Sequence, residues 1–224
     1  KPMPPAIADS TSKHYVKGDL TDVVYTVTNM SGNSYFPIEK IFYGETELVL
    51  DSDYTVGPQE GSNLFFTIKA TYLETLSLGT KAFLLRTGGG QAEFSLEINS
   101  ALNISDPDGE FDKNIPETIV FAVSGQPNVI QTLKKAGTVL PSDHYTFTDG
   151  SLSIKSTYLN NLPYGEHHFT INNGYGESEL KITVMDSRTP VLVSETITYY
   201  EGSLENVSVA VNLYDKSVTG LLLG

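Results

Sequence analysis

The chain has 224 residues, room for one large or two ordinary domains, with 19 glycines, 11 prolines and no cysteine; this disfavours a long-helix protein and excludes a disulfide framework or a thiolate metal site. Its 27 acidic residues outnumber 14 basic ones, a formal net charge of −13, which works against binding to nucleic acid or to an anionic membrane. No apolar run reaches the roughly 18 residues of a membrane span and no charged-then-apolar leader follows Lys1, so a soluble chain with no signal peptide and no membrane insertion is expected.

In chain order, the first patterned stretch is Tyr15–Thr28, YVKGDLTDVVYTVT. An aromatic opens it, a lysine follows two residues later, and the run Val23–Thr28 alternates, which predicts a strand with Val23, Tyr25 and Val27 inward and Thr26 outward. The same design returns at Phe111–Ser124, FDKNIPETIVFAVS, with Lys113 for Lys17 and Ile119, Phe121 and Val123 inward. It returns again at Tyr199–Asn212, where Val207, Val209 and Val211 alternate with polar or small neighbours such as Ala210.

The repeat continues between these openings. Ala70–Ile98 superposes on Ser156–Val184 at a constant offset without a gap, keeping Tyr72/Tyr158, Leu73/Leu159, Leu76/Leu162, Gly79/Gly165, Phe83/Phe169 and Gly88/Gly174. Such self-similarity is the signature of repeated modules. Asp53-Tyr-Thr reappears as Asp143-His-Tyr-Thr with one inserted residue; an aspartate placed just before a strand in both copies has a turn role. Three segments follow: a first module over 1–98, a second over 99–186, and an incomplete third over 187–224.

From Phe94 to Ile104 the sequence FSLEINSALNI holds no Pro/Gly/Ser-rich spacer, so modules joined end to end with limited hinge freedom are expected. Asp106-Pro-Asp-Gly-Glu-Phe-Asp112 then crowds Asp106, Asp108, Glu110 and Asp112 together. Hard oxygen ligands gathered this way can hold calcium, although the spacing is not that of the helix-loop-helix calcium site; the alternative is a solvated Pro-Asp-Gly turn, and no other cofactor is expected.

Further strands are predicted at Val129–Lys134, His144–Thr148, Leu152–Ser156, His167–Asn172 and Glu179–Met185, punctuated by Asp149-Gly150 and Asn173-Gly174. Seven or so short strands at this spacing make the fold class all-β, a tandem of immunoglobulin-like β-sandwiches. A single helical turn is expected at Tyr158–Leu162, ended by Pro163 and Gly165, with Tyr72 and Tyr158 as core or corner tyrosines. Gly88-Gly-Gly90 and Gly174-Tyr-Gly176 read as hairpin turns, since a phosphate-cradling loop needs a helix after it. His167 and His168 point to opposite faces of a strand and cannot close on one ion.

Phe111-Asp-Lys, Asp143-His-Tyr-Thr, Tyr158-Leu159 and Leu162-Pro-Tyr-Gly165 together resemble the X-two module, an immunoglobulin-like module of bacterial cellulosomal scaffoldins and clostridial glycoside hydrolases. The likeness covers Asn99–Asp186 well and the first module more loosely, where Tyr15-Val-Lys and Leu76-Ser-Leu-Gly depart from the pattern. The resemblance implies a non-enzymatic accessory module, a spacer or binding region of a larger extracellular or cell-surface bacterial protein. Its expected partners are further modules of the same polypeptide and polysaccharide or cell-wall glycan. The alternative is a pair of dedicated carbohydrate-binding modules.

No Ser/His/Asp arrangement in a strand-turn-helix context and no metal-ligand spacing points to catalysis, so no enzyme activity is expected. Sugar recognition rests on exposed aromatic faces, and aromatics that differ between copies are the informative ones: Tyr35, Phe36, Tyr43, Tyr164, Tyr175 and Tyr214. Tyr164 and Tyr175 are the candidate carbohydrate-binding pair, standing where the first module has Leu78 and Gly89. Replacing both is expected to abolish glycan affinity and spare the fold. Ser187–Gly224 matches only the opening strands of a module and breaks off at Leu221-Leu-Leu-Gly. The expectation is that the natural protein carries the rest of a third sandwich, and that contact with another molecule orders the half present.

Overall fold

The computed structural model describes residues 4–11, 13–28, 36–193, 200–202, 206 and 208–220. Tyr35, Tyr199, Val207 and Leu221–Gly224 lie outside the described residues. The chain divides into two compact units that interleave in sequence. The first takes Lys1–Asn103 with Val123–Thr132 and Ile171–Ser178; the second takes Ile104–Ala122, Leu133–Thr170 and Glu179–Gly224.

The first unit opens with β1 (Ala6–Ala8), β2 (Lys13–Val16), β3 (Val23–Thr28), β4 (Ile38–Tyr43), β5 (Thr46–Glu47), β6 (Tyr54–Glu60) and β7 (Asn63–Ile68). A one-turn helix α1 (Ala70–Leu73) leads to β8 (Gly79–Thr87) and the long β9 (Gly90–Ile104). One sheet has the order β1-β3-β7-β6; in the other β9-β8-β4-β5 are neighbours and β2 lies parallel to β9, Tyr15 opposite Ile98. Strict alternation decides which side chains meet between the sheets: Val23, Tyr25 and Val27 are buried, as are Leu64, Phe66 and Ile68 of β7. Tyr25, Phe66, Phe83 and Phe94 form one aromatic cluster with ring centroids 4.7–5.3 Å apart. The Tyr25 hydroxyl, wholly buried, donates to the Ser95 carbonyl at 3.1 Å, so a phenol sits in the core without an orphaned polar atom.

The second unit is a second sandwich. Its strands are β10 (Asp108–Asp112), β11 (Ile119–Gln126), β12 (Thr132–Lys135), β13 (Thr138–Val139), β14 (Tyr145–Thr148) and β15 (Ser151–Ile154). After α2 (Ser156–Leu159) come β16 (Gly165–Asn172), β17 (Glu177–Met185) and the two-residue strands β18 (Val191–Leu192) and β19 (Val211–Asn212). The sheet orders are β10-β17-β16-β12-β13 and β14-β15-β11. Phe111, Phe121, Leu133, Leu152, Leu159, Phe169, Ile182 and Val184 are buried in its core. Each strand predicted between Val129 and Met185 is present within a few residues of its expected bounds, except that Val129, Ile130 and Gln131 precede β12.

β10 was not foreseen as a strand. It pairs in parallel with β17, Phe111 opposite Val184, as β2 pairs with β9 in the first unit. The matched amides of Lys17 and Lys113 donate to the matched carbonyls of Asn99 and Met185, each at 2.9 Å. The opening motif therefore lays a short strand along the module's last strand, and the aromatic at Tyr15 or Phe111 plugs the core beside it.

In the tail, β18 and β19 pair with each other and, among the described residues, with no other strand, Val191 opposite Asn212 and Leu192 opposite Val211. Of the alternating valines, Val211 lies in a strand while Val209 does not, and both are exposed, as is Ala210.

Candidate functional site

Repeated residues account for much of the polar wiring of each unit. Lys17 Nζ donates to the Glu74 carbonyl at 2.8 Å, and Lys113 Nζ to the Leu162 carbonyl at 2.6 Å. Both lysines thus reach a free carbonyl after the one-turn helix, where a cation is favoured. Lys69 and Lys155, just before α1 and α2, donate to the Asp51 and Asp143 carbonyls, the latter at 2.7 Å. Asp53 Oδ2 accepts from the Val49 amide at 2.8 Å, the turn role expected of it. His167, matched to Lys81, is buried and donates from Nε2 to the Pro163 carbonyl at 2.8 Å, while Lys81 Nζ reaches Ser77 Oγ and the Leu78 carbonyl. His168 is exposed, so the pair does diverge.

The four acidic side chains at 106–112 are not gathered. Strand pairing turns Asp108, Glu110 and Asp112 to one side while Gly109 and Phe111 face the core. Asp108 lies 3.7 Å from Lys181 Nζ. Asp112 accepts from the Asn114 and Ser187 amides at 2.9 and 3.0 Å, and bonds from Ser187 and Asn114 hold its carboxyl below the usual range. Asp106 and Glu110 are exposed. No cluster of three or more His, Cys, Asp or Glu able to hold a metal occurs among the described residues. A parallel strand stands where a turn or calcium loop was expected, and alternate carboxylates on one side of an extended strand are spaced about 6.5 Å apart along it rather than converging.

Tyr175 and Tyr164 belong to different units. Tyr175 is half-buried in the first unit, edge-on to His14 with ring centroids 5.6 Å apart, beside an open concavity of about 490 Å³ lined also by Val16, Lys17 and Asp19. Tyr164, in the second unit, is 38% exposed, but it is not an unattached platform. Its hydroxyl donates to Asp186 at 3.2 Å and Lys113 Nζ lies over its ring, 4.7 Å from the centroid. Of the other unmatched aromatics, Phe36 packs against the Gly88-Gly89 turn and Tyr43 against Phe83, while Tyr214 lies under the Arg188 guanidinium at 4.0 Å. The Gly88-Gly89 hairpin turn, with no helix after it, is as expected.

Sequence reasoning passed over Asp186. Its side chain is fully buried, pairs with Arg188 through Nε at 2.8 Å and through a second guanidinium nitrogen, and accepts from Tyr164. The Arg188 guanidinium holds this carboxyl well below its ordinary range. Asp215 Oδ2 accepts from the Asp186 amide at 3.0 Å and Lys216 Nζ donates to the Asp186 carbonyl. The signal available was Asp186-Ser-Arg188 directly after a strand: a carboxylate and a guanidinium two residues apart in a turn. It is a structural network, joining the end of β17 to the tail.

No protein-family model matches the chain, and the comparison with curated proteins gives no match. Among solved structures the chain is similar to an I-band fragment of titin, at a TM-score of 0.52 and 15% identity, covering 84% of this chain and 69% of that one. A tri-modular GH5 (subfamily 4) endo-β-1,4-glucanase from Bacillus licheniformis matches at 0.40 and 16% identity, covering 81% of this chain, which spans only 38% of the glucanase chain. A titin immunoglobulin tandem matches at 0.38 and 14% identity over 82% and 97% of the two chains. Together with the two sandwiches described, the titin I-band likeness establishes the fold: the chain is an all-β tandem of immunoglobulin-like domains.

Proposed function

We propose that the chain is a non-catalytic, X-two-like tandem within a larger bacterial extracellular or cell-surface protein, serving as a structural spacer or accessory binding region. The observation that carries this reading is the use made of the repeated residues. Lys17/Lys113, Lys69/Lys155, Lys81/His167 and Tyr15/Phe111 all serve the module's own architecture, as carbonyl partners or core plugs. A module duplicated for the sake of a reaction would instead repeat a set of side chains converging on a cleft.

The test is incubation of the whole chain with a panel of soluble and insoluble polysaccharides, reading both reducing-end release and retention in the pellet. No release is expected, and no retention on neutral insoluble cellulose or chitin. Turnover that vanishes on a single acidic substitution would overturn the reading. The second reading, a carbohydrate-binding pair, is favoured by the Tyr175–His14 contact at an open concavity; retention lost on Tyr175→Ala would establish it.

A further inference from the structure

The hairpin β12–β13, the residue before β14 and the helix α2 of the second unit enclose a concavity of about 370 Å³, within the size range of small-ligand sites. Its floor and walls are Leu140, Pro141 and Val139, the last 53% exposed, and its far side is a pair of rings: His144 stacked on Tyr158 with centroids 4.6 Å apart and an interplanar angle of 29°. The Lys135 side chain stands at its edge and has no hydrogen bond or ion pair among the described residues. No carboxylate is among its lining residues; that of the adjacent, exposed Asp143 lies 3.8 Å from His144 Nδ1.

The matched place in the first unit is built differently. Leu48 donates to the Ile41 carbonyl as Leu140 does to that of Leu133, and Tyr43 pairs with Thr46 as Lys135 pairs with Thr138. Lys135 therefore stands where the first unit has Tyr43, whose ring packs on Phe83. His144 stands where the first unit has Asp53: its carbonyl accepts from the Lys155 amide as that of Asp53 accepts from the Lys69 amide, and Tyr145 after it pairs with Ile154 as Tyr54 pairs with Ile68. Both features of the concavity, its cation and its second ring, are thus departures from the module's plan.

The rings are firmly held. The His144 amide donates to the Pro141 carbonyl at 3.1 Å, the His144 carbonyl accepts from the Lys155 amide at 3.0 Å, and Tyr158 is fixed on α2 and lies edge-on to Phe169. Ala136, on the rim, holds φ +48° in the tight turn between β12 and β13, a conformation that costs a non-glycine residue about 1–2 kcal/mol. Such strain is retained mostly where surroundings or function require it.

We propose that this concavity binds a uronic acid residue of an acidic polysaccharide. The apolar CH face of the pyranose lies against the His144/Tyr158 edge and Pro141, and its carboxylate pairs with Lys135. A lone ammonium suits one carboxylate, whereas a phosphate calls for several donors or a bidentate guanidinium. All of the lining residues except Leu140 are exposed or half-buried, so a polymer can run through without its neighbouring sugars being enclosed. The chain's overall negative charge opposes an anionic ligand at long range, but beyond about 8 Å that repulsion is screened at physiological salt. The inference does not depend on the spacer reading, and its failure would leave that reading standing.

The experiment is a titration of the whole chain, followed by amide and imidazole NMR, with trigalacturonic acid, its methyl ester, cellotriose and benzoate. Trigalacturonic acid should shift resonances confined to 135–144 and Tyr158. The methyl ester and cellotriose, which lack the carboxylate, should bind at least about tenfold more weakly, the loss expected for one charge-assisted contact, and benzoate, which keeps the charge but has no pyranose CH face, should also bind more weakly. Lys135→Met should lose about tenfold, Lys135→Tyr should fill the site as Tyr43 fills its counterpart, and Lys135→Arg should keep affinity within a few-fold. Absence of trigalacturonate binding, equal binding of the ester or benzoate, or unchanged affinity in Lys135→Met would each overturn the proposal.

Discussion

At the scale of single residues, the polar atoms that matter are those that close a gap in the backbone's own bonding. Lys113 Nζ satisfies the Leu162 carbonyl, so Lys113→Met should destabilise its unit by about 1 kcal/mol in urea unfolding, the net worth of such a hydrogen bond at a half-exposed site. Tyr25 separates packing from polarity: Tyr25→Phe should cost about 1 kcal/mol, for the bond to Ser95, and Tyr25→Ala about 3–5 kcal/mol, for the ring's place among Phe66 and Phe94. Glu74 is an acid-sensitive member of the first unit, its pKa lowered from the ordinary 4.5 by the Gly18 amide and then by the Tyr15 hydroxyl, 2.7 and 2.5 Å away. A carboxyl whose folded pKa is lowered adds stability that is full above its unfolded value and fades as pH falls through the folded one. Thermal melts should therefore show stability lost from about pH 4.5 downward, and Glu74→Gln should flatten that slope while lowering the midpoint at neutral pH. Tyr164 shows the limit of comparing copies. Its hydroxyl serves a fully buried carboxylate, so Tyr164→Ala should lower the second unit's melting temperature, with Tyr164→Phe separating the hydrogen bond from the ring.

At the scale of elements, the parallel pairings β2–β9 and β10–β17 explain why an aromatic and a lysine two residues on open each module: the aromatic enters the core and the lysine caps the turn after the helix. Gly109, between the exposed acids of β10, is explained by its neighbour, since an added Cβ would come within 3.0 Å of the Phe121 ring. Gly125, near the end of β11, is more constrained. Its φ is +141° and a Cβ there would meet the Ala101 carbonyl oxygen at 2.8 Å. Backbone cannot yield as a side-chain tip can, so Gly125→Ala should cost more than about 1 kcal/mol from the conformation alone, read as a lower urea midpoint with the same slope. An unchanged midpoint would mean that β11 is displaced from Ala101 in solution.

At the scale of the whole molecule, the balance of 27 acidic to 14 basic residues works against binding to phosphate backbones or anionic lipid. The chain should neither shift duplex DNA nor sediment with phosphatidylserine vesicles at 50 mM salt. Salt-sensitive binding in either assay would reveal a basic surface that the totals hide. Two sandwiches, each with its own core, place the repeated residues in architecture.

The division between what was legible and what was not follows from the range of the forces involved. Strand positions, inward residues such as Tyr25 and Phe121, the hairpin glycines and the tandem plan were readable because alternation, turn chemistry and self-similarity act over a few residues or repeat identically. The parallel strand at Asp108–Asp112 was not, since its partner Lys181–Met185 lies about seventy residues on and an acidic stretch with Pro-Asp-Gly looks locally like a turn. Nor could the sequence show that Asp186 is buried with Arg188, Tyr164 and the tail, or that the Lys135 side chain stands beside the His144–Tyr158 stack with no partner among the described residues. Burial and side-chain convergence are set only when distant strands pack, and that step was decided by the tertiary structure.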